Sequence, residues 1–487
     1  MDAGFITVAL YVVMIIAVGV VGMKRAKSFS DFFLGGGNVG PIMSAFSYGT
    51  AYFSAVLFIG FAGTIGWNYG LSGLWIGLFN ALLGVLAVWG ILGWKIKQMS
   101  VSYNISTMSE FLEKRYNSPY LKLAAAIVIF IFMIPYSAAV FMGLSYLFTT
   151  NFGIDYRYAL LLMGSLTAVY LVMGGYKSMA LIDVVFGMIM VVGVAILLYG
   201  TVSVGNGLDG IVQSLQQVDP LLTQPVGPPG FWPLLYLIFL TSIAPFAMPQ
   251  LVQKFYAIRD RKAIKTGMIA STLFAAFIGS VAYFVGATTR IFLTPESAPL
   301  AFANNLPIAD RLMPELLALV VPEALSVVML LLILSASMST LAALVLISSS
   351  SVSKDVVGGF INKNLSDKSL TRLMRIMSAV FVMLSVVLAY LNIDSIVAIL
   401  SISWGAIGSF FLGPFIWGLF SKKVNRIGAW ASGILGLITC LVLFFCGFPS
   451  PQAGSLGMFV SLVSNPLFSL LGNWLKFDNL STIPRTT

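Results

Sequence analysis

The chain has 487 residues, of which 59% are hydrophobic and 9% are charged, and its mean hydropathy is +0.97. Soluble domains are roughly half apolar and a quarter charged, so this composition excludes a soluble globular protein and indicates an integral membrane protein. Two cysteines and no histidine leave almost no ligands for a zinc or haem site, which argues against a metal-dependent or redox enzyme.

Apolar runs of about 20 residues, long enough for a helix to cross a bilayer, recur along the whole chain. Because a spanning helix satisfies its own backbone groups, we expect an all-α protein of about 13 transmembrane helices. The predicted spans are 4–23, 40–66, 72–97, 121–149, 157–176, 180–201, 231–257, 264–289, 319–350, 373–391, 393–420, 427–446 and 454–474. The first is followed by KRAK and lacks a small-residue cleavage site, so it is expected to be retained.

The basic residues fall almost entirely on one side of these spans. With the N-terminus outside, only Arg157, Arg290 and Arg311 of the 27 lysines and arginines lie outside. This asymmetry is the positive-inside pattern. It predicts a multi-pass protein of the plasma membrane with its N-terminus outside and its C-terminus in the cytoplasm. The net charge of +10 therefore reports topology in a lipid bilayer, and no nucleic-acid partner is expected.

Two spans contain helix breakers at corresponding positions. The second span has Gly49 at mid-depth, and the seventh contains Pro245 and Pro249 in TSIAPFAMPQLV. The two breaks lie five spans apart, so spans two to six and seven to eleven form two blocks of opposite orientation. Broken helices in such blocks are typical of transporters with inverted repeats. The alternative is that these residues serve packing alone, since glycine and proline are common in membrane helices.

The expected organisation follows from these blocks. An extra transmembrane helix and cytoplasmic linker (1–39) precede the first five-helix repeat (40–201), an extracellular loop (202–230), the second inverted repeat (231–420), and two C-terminal helices with a short cytoplasmic tail (421–487).

The ninth span is unusually rich in hydroxyls, in the stretch ILSASMSTLAALVLISSSSVSKD. Ala336, Ser339, Thr340 and Ala343 share one helix face, so Ser339 and Thr340 offer two adjacent oxygens. Sodium is a hard ion whose single charge can be met by neutral oxygen ligands. The alternative is close helix packing with hydroxyls bonded to their own i−4 carbonyls. That alternative is favoured for Ser335, Ser337 and 348–351, and for Ser339 and Thr340 both interpretations stay open.

A site of this kind would need backbone carbonyls from a broken helix nearby. The break around Gly49 could supply them from Thr50 and Phe53, which are spaced i, i+3.

The sequence resembles the sodium:solute symporters from about residue 5 to residue 430. The resemblance is carried by LGGGNVG, SYGTAYFSAVLFIGFAG, GGYKSMALIDVVFG and, most specifically, SASMSTLAALVLISSSSVSKD. VDPLLTQPVG and MPQLVQKFYAIRDRKAIKTG look most like the proline and pantothenate branch of the family.

The resemblance implies a leucine-transporter-type fold with a 5+5 inverted repeat and one sodium between the second and ninth spans. Its ligands would be the carbonyls of Thr50, Phe53 and Ala336 and the hydroxyls of Ser339 and Thr340.

Family members that bind a second sodium place hydroxyls three and four residues after the MST serine. This chain has Ala342 and Ala343 there, so a second sodium is not expected. Asp183 matches a family aspartate near the sodium exit path, and an acid inside a span is a functional hypothesis by default. The alternative is a helix-end carboxylate paired with a loop cation such as Lys177.

The solute is expected beside the sodium, between the two breaks. Tyr136 matches a position that faces the substrate in proline-type members, and Phe53, Ser54, Thr241 and Phe246 are further candidates. Packing is the alternative for each of them.

The chain departs from the proline pattern in two places. Tyr52 stands where the proline branch has an acid, and Thr241 and Pro245 stand where it has aromatics. The solute therefore stays open among amino acids, pantothenate and monocarboxylates.

The expected function is that of a sodium-coupled symporter, acting as a monomer, which imports a small organic solute by alternating access with one sodium per solute. Proton-coupled or uncoupled transport is an alternative, as is a transporter-derived sensor, although the predicted tail after residue 474 is short for an output domain. An enzyme is not expected, because Asp183 stands nearly alone among the spans.

Overall fold

The computed structural model describes residues 3–25, 29–173, 176–322 and 325–474, and this part of the chain is almost wholly helical. Its helices are α1 (Ala3–Arg25), α2 (Phe29–Leu34), α3 (Pro41–Tyr52), α4 (Ala62–Tyr69), α5 (Leu74–Phe79), α6 (Trp94–Tyr103), α7 (Met108–Tyr116), α8 (Pro119–Phe152), α9 (Tyr156–Met173), α10 (Tyr176–Val204), α11 (Gly207–Val218), α12 (Phe231–Ile243), α13 (Pro249–Ala257), α14 (Arg261–Ala287), α15 (Thr289–Phe292), α16 (Ala309–Val320), α17 (Ser326–Ser350), α18 (Asp367–Leu391), α19 (Ile396–Phe420), α20 (Arg426–Phe445) and α21 (Ser450–Trp474). The predicted tail after residue 474 lies outside the described residues.

Shorter segments join or extend these helices. Those with π-helical turns are Val56–Phe61, Asn80–Gly93 and Ser351–Ile361, and those with 3₁₀ turns are Gly35–Gly37, Gly70–Gly73, Pro220–Thr223, Ala244–Ala247 and Pro299–Ala301. Two short antiparallel strands, β1 (Phe302–Ala303) and β2 (Leu306–Pro307), pair Phe302 with Pro307 and Ala303 with Leu306.

Within the described ranges, nine helical segments are long and apolar enough to cross a membrane, or ten when the bent pair Phe231–Ala247 and Pro249–Ala257 counts as one span. The multi-span helical architecture predicted from the sequence is confirmed, whereas the count of 13 stays a prediction. One of the nine segments, Val56–Tyr103, is interrupted at Gly70, where φ is +56° and a Cβ would lie 2.3 Å from the Leu222 carbonyl oxygen. Only glycine tolerates that combination.

Helix α17 lies at the centre of the molecule. It packs against α3, α8, α10 and α18, and every residue from 332 to 350 is buried. Its alanines and serines allow neighbouring helices to approach closely, as is usual between membrane helices. The serine-rich stretch is therefore surrounded by protein and not by lipid.

The break in the second span lies four residues later than the sequence suggested. Helix α3 runs through Gly49 and ends at Tyr52, and the chain leaves the helix at Phe53, whose φ and ψ are −108° and 109°. A Cβ on Gly49 would lie 2.5 Å from Cδ1 of Phe274, so this glycine admits a neighbouring ring. Its role is packing, and the interruption belongs to Phe53 and Ser54.

The break in the seventh span follows the predicted prolines. Helix α12 ends at Ile243, the 3₁₀ turn Ala244–Ala247 contains Pro245, and α13 begins at Pro249 with the axis bent by 41°. Proline lacks an N–H and fits the first helical turn, which explains both the end of α12 and the start of α13.

The two broken spans are tied together at the end of the molecule that carries most basic residues. The Val39 N–H donates to the Ala257 carbonyl and the Arg259 N–H donates to the Val39 carbonyl, each at 3.0 Å. The buried Lys97 ammonium donates to the carbonyls of Gly37 and Tyr256, both at 3.2 Å.

At the opposite end, α16 lies against α4 and the segment Val56–Phe61, which form the second half of the broken span. The N–H of Ile396, at the start of α19, donates to both carboxyl oxygens of Asp310 at 3.1 and 3.3 Å. Burial, with a smaller contribution from Asp394, raises the pKa of the Asp310 carboxyl to about 7. Asp310 thus joins α16 to the first turn of α19.

Candidate ion and solute site

A cluster of buried oxygen atoms lies where α3 ends against the middle of α17. The Thr340 hydroxyl oxygen is 3.1 Å from the Thr50 carbonyl oxygen, 3.4 Å from that of Ala51 and 3.1 Å from that of Ala336. Carbonyls in the last turn of a helix have no partner within the helix, so the break leaves the first two available to groups on α17.

Ser339 completes the cluster. Its hydroxyl oxygen lies 2.7 Å from the Thr50 hydroxyl oxygen, and the Thr50 hydroxyl also lies 2.7 Å from the Phe46 carbonyl oxygen. The structure therefore brings together Thr50, Ala336, Ser339 and Thr340, four of the five residues expected to hold sodium. Phe53, the fifth, is buried at the break itself.

The chemistry of this cluster suits a hard monovalent cation. The atoms that could bind a cation are neutral carbonyl and hydroxyl oxygens, and the C-terminal end of α3 carries the negative end of the helix dipole. Among the residues that the structure describes, no group of three or more histidine, cysteine, aspartate or glutamate side chains could hold a metal ion.

The other hydroxyls of α17 have different surroundings. Ser337 donates to the Ile333 carbonyl and accepts the N–H of Ala55, which fixes the chain just after the break. Ser349 donates to the Val345 carbonyl at 2.6 Å, the i−4 bond expected of a packing serine.

Asp183 lies buried in α10, where its carboxyl is next to the Ser339 hydroxyl and interacts electrostatically with Lys254. The loop cation considered from the sequence, Lys177, is exposed. Lys254, in α13, is also buried, and its Nζ lies 5.0 Å from the centroid of the Tyr176 ring.

Sequence reasoning missed Lys254, because it considered the basic residues only by the side of the membrane on which they lie. The available signal was a lysine inside the apolar span 231–257, five residues after Pro249.

A second feature, a small cavity, separates the two breaks. It is lined by Tyr52, Phe53, Ser54, Val56, Leu57, Phe61, Asn80, Tyr136, Thr241, Tyr283, Leu400 and Trp404, and the centre of a water molecule can occupy about 30 Å³ of it. That is room for about two waters, so a solute could enter only after side chains move.

Four of the five candidate solute residues line this cavity: Tyr136, Phe53, Ser54 and Thr241. Phe246 is not among the described lining residues, and it lies half-buried in the 3₁₀ turn Ala244–Ala247.

Aromatic rings form much of the cavity wall. The Tyr52 ring stacks on Trp404 with centroids 5.8 Å apart, and its hydroxyl donates to the Thr241 carbonyl at 2.7 Å. Tyr136 meets Trp404 edge to face, also at 5.8 Å. Trp404 was not anticipated, because in the sequence it is one aromatic residue in an apolar span, and only the fold brings α19 to the breaks.

None of the described residues that line this cavity carries a charge. Its polar groups include the Asn80 amide, whose oxygen accepts the Ser242 hydroxyl at 2.9 Å. A charged group on a bound solute would therefore be met by the bound ion, by amides and by free backbone groups at the breaks.

A third feature is a smaller cavity toward the basic end. It is lined by Gln253, Tyr256, Ser350, Ser351 and Asp355, among others. Within the described residues, the Tyr256 hydroxyl, the Gln253 Oε1 atom and the Asp355 Oδ2 atom have no hydrogen-bond partner. Its free space of about 10 Å³ suits one water, so this is a small pocket with polar groups, beside the part of α17 that lies toward the basic end.

The model of the sodium:solute symporter family matches residues 32–436. The chain belongs to this family. The resemblance inferred from the sequence is therefore confirmed, and the family's proteins are transporters and not enzymes.

Characterised relatives are similar over most of their length. The chain is 27% identical to a sodium/pantothenate symporter of Haemophilus influenzae over 86% of each chain. It is 28% identical to that of Escherichia coli over 89% of each. It is 27% identical to a sodium/proline symporter of Salmonella typhimurium, over 96% of this chain and 93% of the relative.

Solved structures establish the fold. A Na⁺-coupled sialic acid symporter in a substrate-bound outward-open state superposes with a TM-score of 0.82 at 18% identity. The match covers 97% of the present chain and 98% of the sialic acid symporter. MhsT in complex with L-phenylalanine gives 0.52 at 13% identity, over 89% and 98%. These neighbours confirm the leucine-transporter-type fold class.

Proposed function

We propose that this symporter couples the import of a small organic solute to the entry of one sodium ion by alternating access, as a monomer. In this proposal it lies in the plasma membrane with its N-terminus outside and its C-terminus in the cytoplasm. The observation that carries the proposal is the position of the Thr340 hydroxyl, on α17, against the carbonyls at the broken end of α3.

The spacing of these oxygens fits a small hard cation such as sodium. Oxygen ligands about 2.3–2.6 Å from a hard cation, as for Ca²⁺, stand about 3.3–3.7 Å apart in an octahedral shell. The Thr340 hydroxyl is already 3.1–3.4 Å from three carbonyl oxygens. An ion held by Thr50, Phe53, Ala336, Ser339 and Thr340 would require these atoms to separate by a few tenths of an ångström.

The coupling of sodium to solute follows from the two helices that supply the proposed sodium ligands. In alternating access, the bundle that contains both broken helices moves against the remaining scaffold. The proposed ion joins α3 in the bundle to α17 in the scaffold, so it stabilises the arrangement in which they meet. By linkage, sodium raises the affinity for solute by the same factor as solute raises that for sodium.

One sodium per solute is favoured by the composition of α17 and α13. Ala342 and Ala343 offer no hydroxyl for a second ion, and the buried cation near Asp183 is Lys254. Asp183 lies beside Ser339, a position from which it could receive the departing ion.

The driving force is ample at this stoichiometry. A charge moving through about 100 mV gains ~2.3 kcal/mol, and a tenfold sodium gradient adds ~1.4 kcal/mol. Together they would support a solute gradient of roughly several hundredfold.

For the solute, we propose an amino acid, pantothenate or a related monocarboxylate. Relatives named for pantothenate and proline support this class. The aromatic wall formed by Tyr52, Tyr136 and Trp404 would cover an apolar part of the solute. Its carboxylate would lie toward the sodium, with Phe53, Ser54 and Thr241 beside the break.

The test is solute uptake into proteoliposomes with an inward sodium gradient, using radiolabelled pantothenate, proline, other amino acids and short monocarboxylates. We expect uptake of one of these classes with sodium but not with potassium, and its loss in the Ser339→Ala, Thr340→Ala double variant. The Ser349→Ala variant, which removes a packing hydroxyl of the same helix, should retain uptake. Uptake that is indifferent to sodium would contradict the proposal.

A further inference from the structure

A large open cleft lies at the basic end of the molecule, away from the ion and solute site. It runs between α6, the turn after α13 and the end of α19, and the centre of a water molecule can occupy about 960 Å³ of it. Its charged lining residues are Lys95, Lys97, Arg115, Arg259, Lys422 and Asp260. We refer to it as the basic cleft.

Its positive charge is largely uncompensated. Among the lining residues that the structure describes, Asp260 is the single acid, and it pairs with Arg259 at 2.8 Å. Lys97 donates to carbonyls of Gly37 and Tyr256, and neutral acceptors leave its charge in place.

Arg115 is fixed in a similar way. Its guanidinium donates to the carbonyls of Gly418 and Ser421 at 2.9 and 2.7 Å. Part of the cleft wall is thus a rigid arrangement of cations, built before any ligand arrives.

The cleft begins where a lipid-facing stripe ends. Leu82, Leu86 and Ile91 are exposed along the helical segment Val56–Tyr103, and Lys95 follows Ile91 at i+4 on the same face. Exposed apolar residues on a membrane helix face acyl chains. The stripe therefore leads from the hydrocarbon region directly to the first lysine of the cleft.

Aromatic residues mark the same boundary. The Lys95 Nζ atom lies 4.1 Å from the centroid of the Phe420 ring, and Phe420 is 43% exposed. Trp94 and Tyr103 also line the cleft, and such residues concentrate where hydrocarbon meets headgroups.

We propose that the basic cleft binds the phosphate group of an anionic phospholipid, whose acyl chains lie along Leu82, Leu86 and Ile91. Lysine and arginine clusters recognise phosphate by charge-assisted hydrogen bonds, and basic pockets between membrane helices bind anionic headgroups. A soluble anion would match the charge of the cleft but would leave the adjoining apolar stripe unused. The lipid would bridge α6 and the end of α19, two elements that meet at this end of the molecule.

The test is native mass spectrometry of the purified full-length chain in detergent, titrated with phosphatidylglycerol and, separately, with phosphatidylcholine. The cleft variant is Lys95→Gln with Lys422→Gln. The control is Lys363→Gln with Lys368→Gln, which removes the same charge from exposed positions outside the cleft. Excess inorganic phosphate serves as the soluble competitor.

We expect tighter binding of phosphatidylglycerol than of phosphatidylcholine. The cleft variant should lose roughly fivefold in affinity per charge removed, since each cation near an anionic membrane surface contributes about 1 kcal/mol. The control should bind as the wild type does, and inorganic phosphate should not displace the lipid.

Three results would overturn the proposal: equal binding of the two lipids, unchanged binding by the cleft variant, or displacement by inorganic phosphate, which would identify a site for soluble anions. If the double variant does not elute as a single species, Lys422→Gln alone, at an exposed position, carries the same comparison. None of these readouts depends on sodium or on a transported solute.

Discussion

Removing one hydroxyl at a time from the oxygen cluster should weaken sodium binding without dismantling the fold. Thr340→Val keeps the shape of the side chain, and Ser339→Ala removes a single atom. Without sodium, the Thr340 hydroxyl contacts neutral carbonyls and the Ser339 hydroxyl bonds to that of Thr50; such bonds are worth about 1 kcal/mol net, whereas contacts with the charge of an ion are worth about 1.5–3 kcal/mol. The difference, about 0.5–2 kcal/mol, predicts a roughly twofold to thirtyfold higher sodium Kd for each variant.

Thermal unfolding of the purified protein measures this effect without knowledge of the solute. A ligand that binds only the folded state stabilises it by RT ln(1 + [L]/Kd), which is about 2.7 kcal/mol at a hundred times Kd. We expect sodium chloride to raise the unfolding temperature of the wild type more than potassium chloride does. Each variant should need more sodium for the same rise, and the double variant more than either.

Ser349→Ala is the matched control, since its hydroxyl lies on the same helix and donates to the Val345 carbonyl. It should lower the unfolding temperature slightly but leave the sodium dependence unchanged. The reasoning fails if Ser339→Ala and Thr340→Val respond to sodium as the wild type does, or if the wild type does not distinguish sodium from potassium.

Three further predictions concern stability. Because the folded Asp310 carboxyl has a pKa of about 7 and an unfolded one has a pKa near 4, the folded state binds more protons between these values. Stability should therefore fall as pH rises across this range, by at most about 1.4 kcal/mol per pH unit, and Asp310→Asn should flatten this slope in thermal unfolding. Gly66→Ala should destabilise by about 1–3 kcal/mol, because its Cβ would lie 1.9 Å from the Gly286 carbonyl carbon; an unchanged unfolding temperature would contradict this contact. Lys254→Met, which removes the buried cation that interacts electrostatically with Asp183, should destabilise the fold by about 1–3 kcal/mol, and adding Asp183→Asn should restore most of the loss in the same assay.

The sequence carried enough information for the class of fold but not for the position of the first break. Hydropathy reports burial in lipid, and it registers each span independently of the others. Gly49 was a plausible break from composition alone, yet α3 continues through it. The glycine serves packing there, because a Phe274 ring from α14 occupies the space that a Cβ would fill. The break falls at Phe53 and Ser54, where no adjacent glycine or proline in the sequence indicates it. Tertiary contacts decide which flexible residue interrupts a helix.

Some residues of the candidate site could likewise be predicted from the sequence, and others could not. Ser339 and Thr340 could be proposed from their shared helix face and from the family resemblance, because both are properties of one local segment. Trp404 and Lys254 could not be placed in that way. They come near Tyr52, in α3, and Asp183, in α10, only through the packing of α19 and α13 in the folded protein, which no local pattern in the sequence specifies.

The Thr340 hydroxyl, a proposed sodium ligand, also gives a physical reason why this oxygen cluster favours a cation. A threonine hydroxyl donates a single hydrogen bond, yet Thr340 lies within 3.1–3.4 Å of the carbonyl oxygens of Thr50, Ala51 and Ala336. At any moment it can satisfy only one of them, so the carbonyls freed by the break stay short of donors in a buried place. Buried acceptors of this kind are costly to leave unpaired. A small cation would satisfy several at once and would link α3 to α17, which gives a physical reason for the proposed coupling of ion binding to the movement of the broken helix.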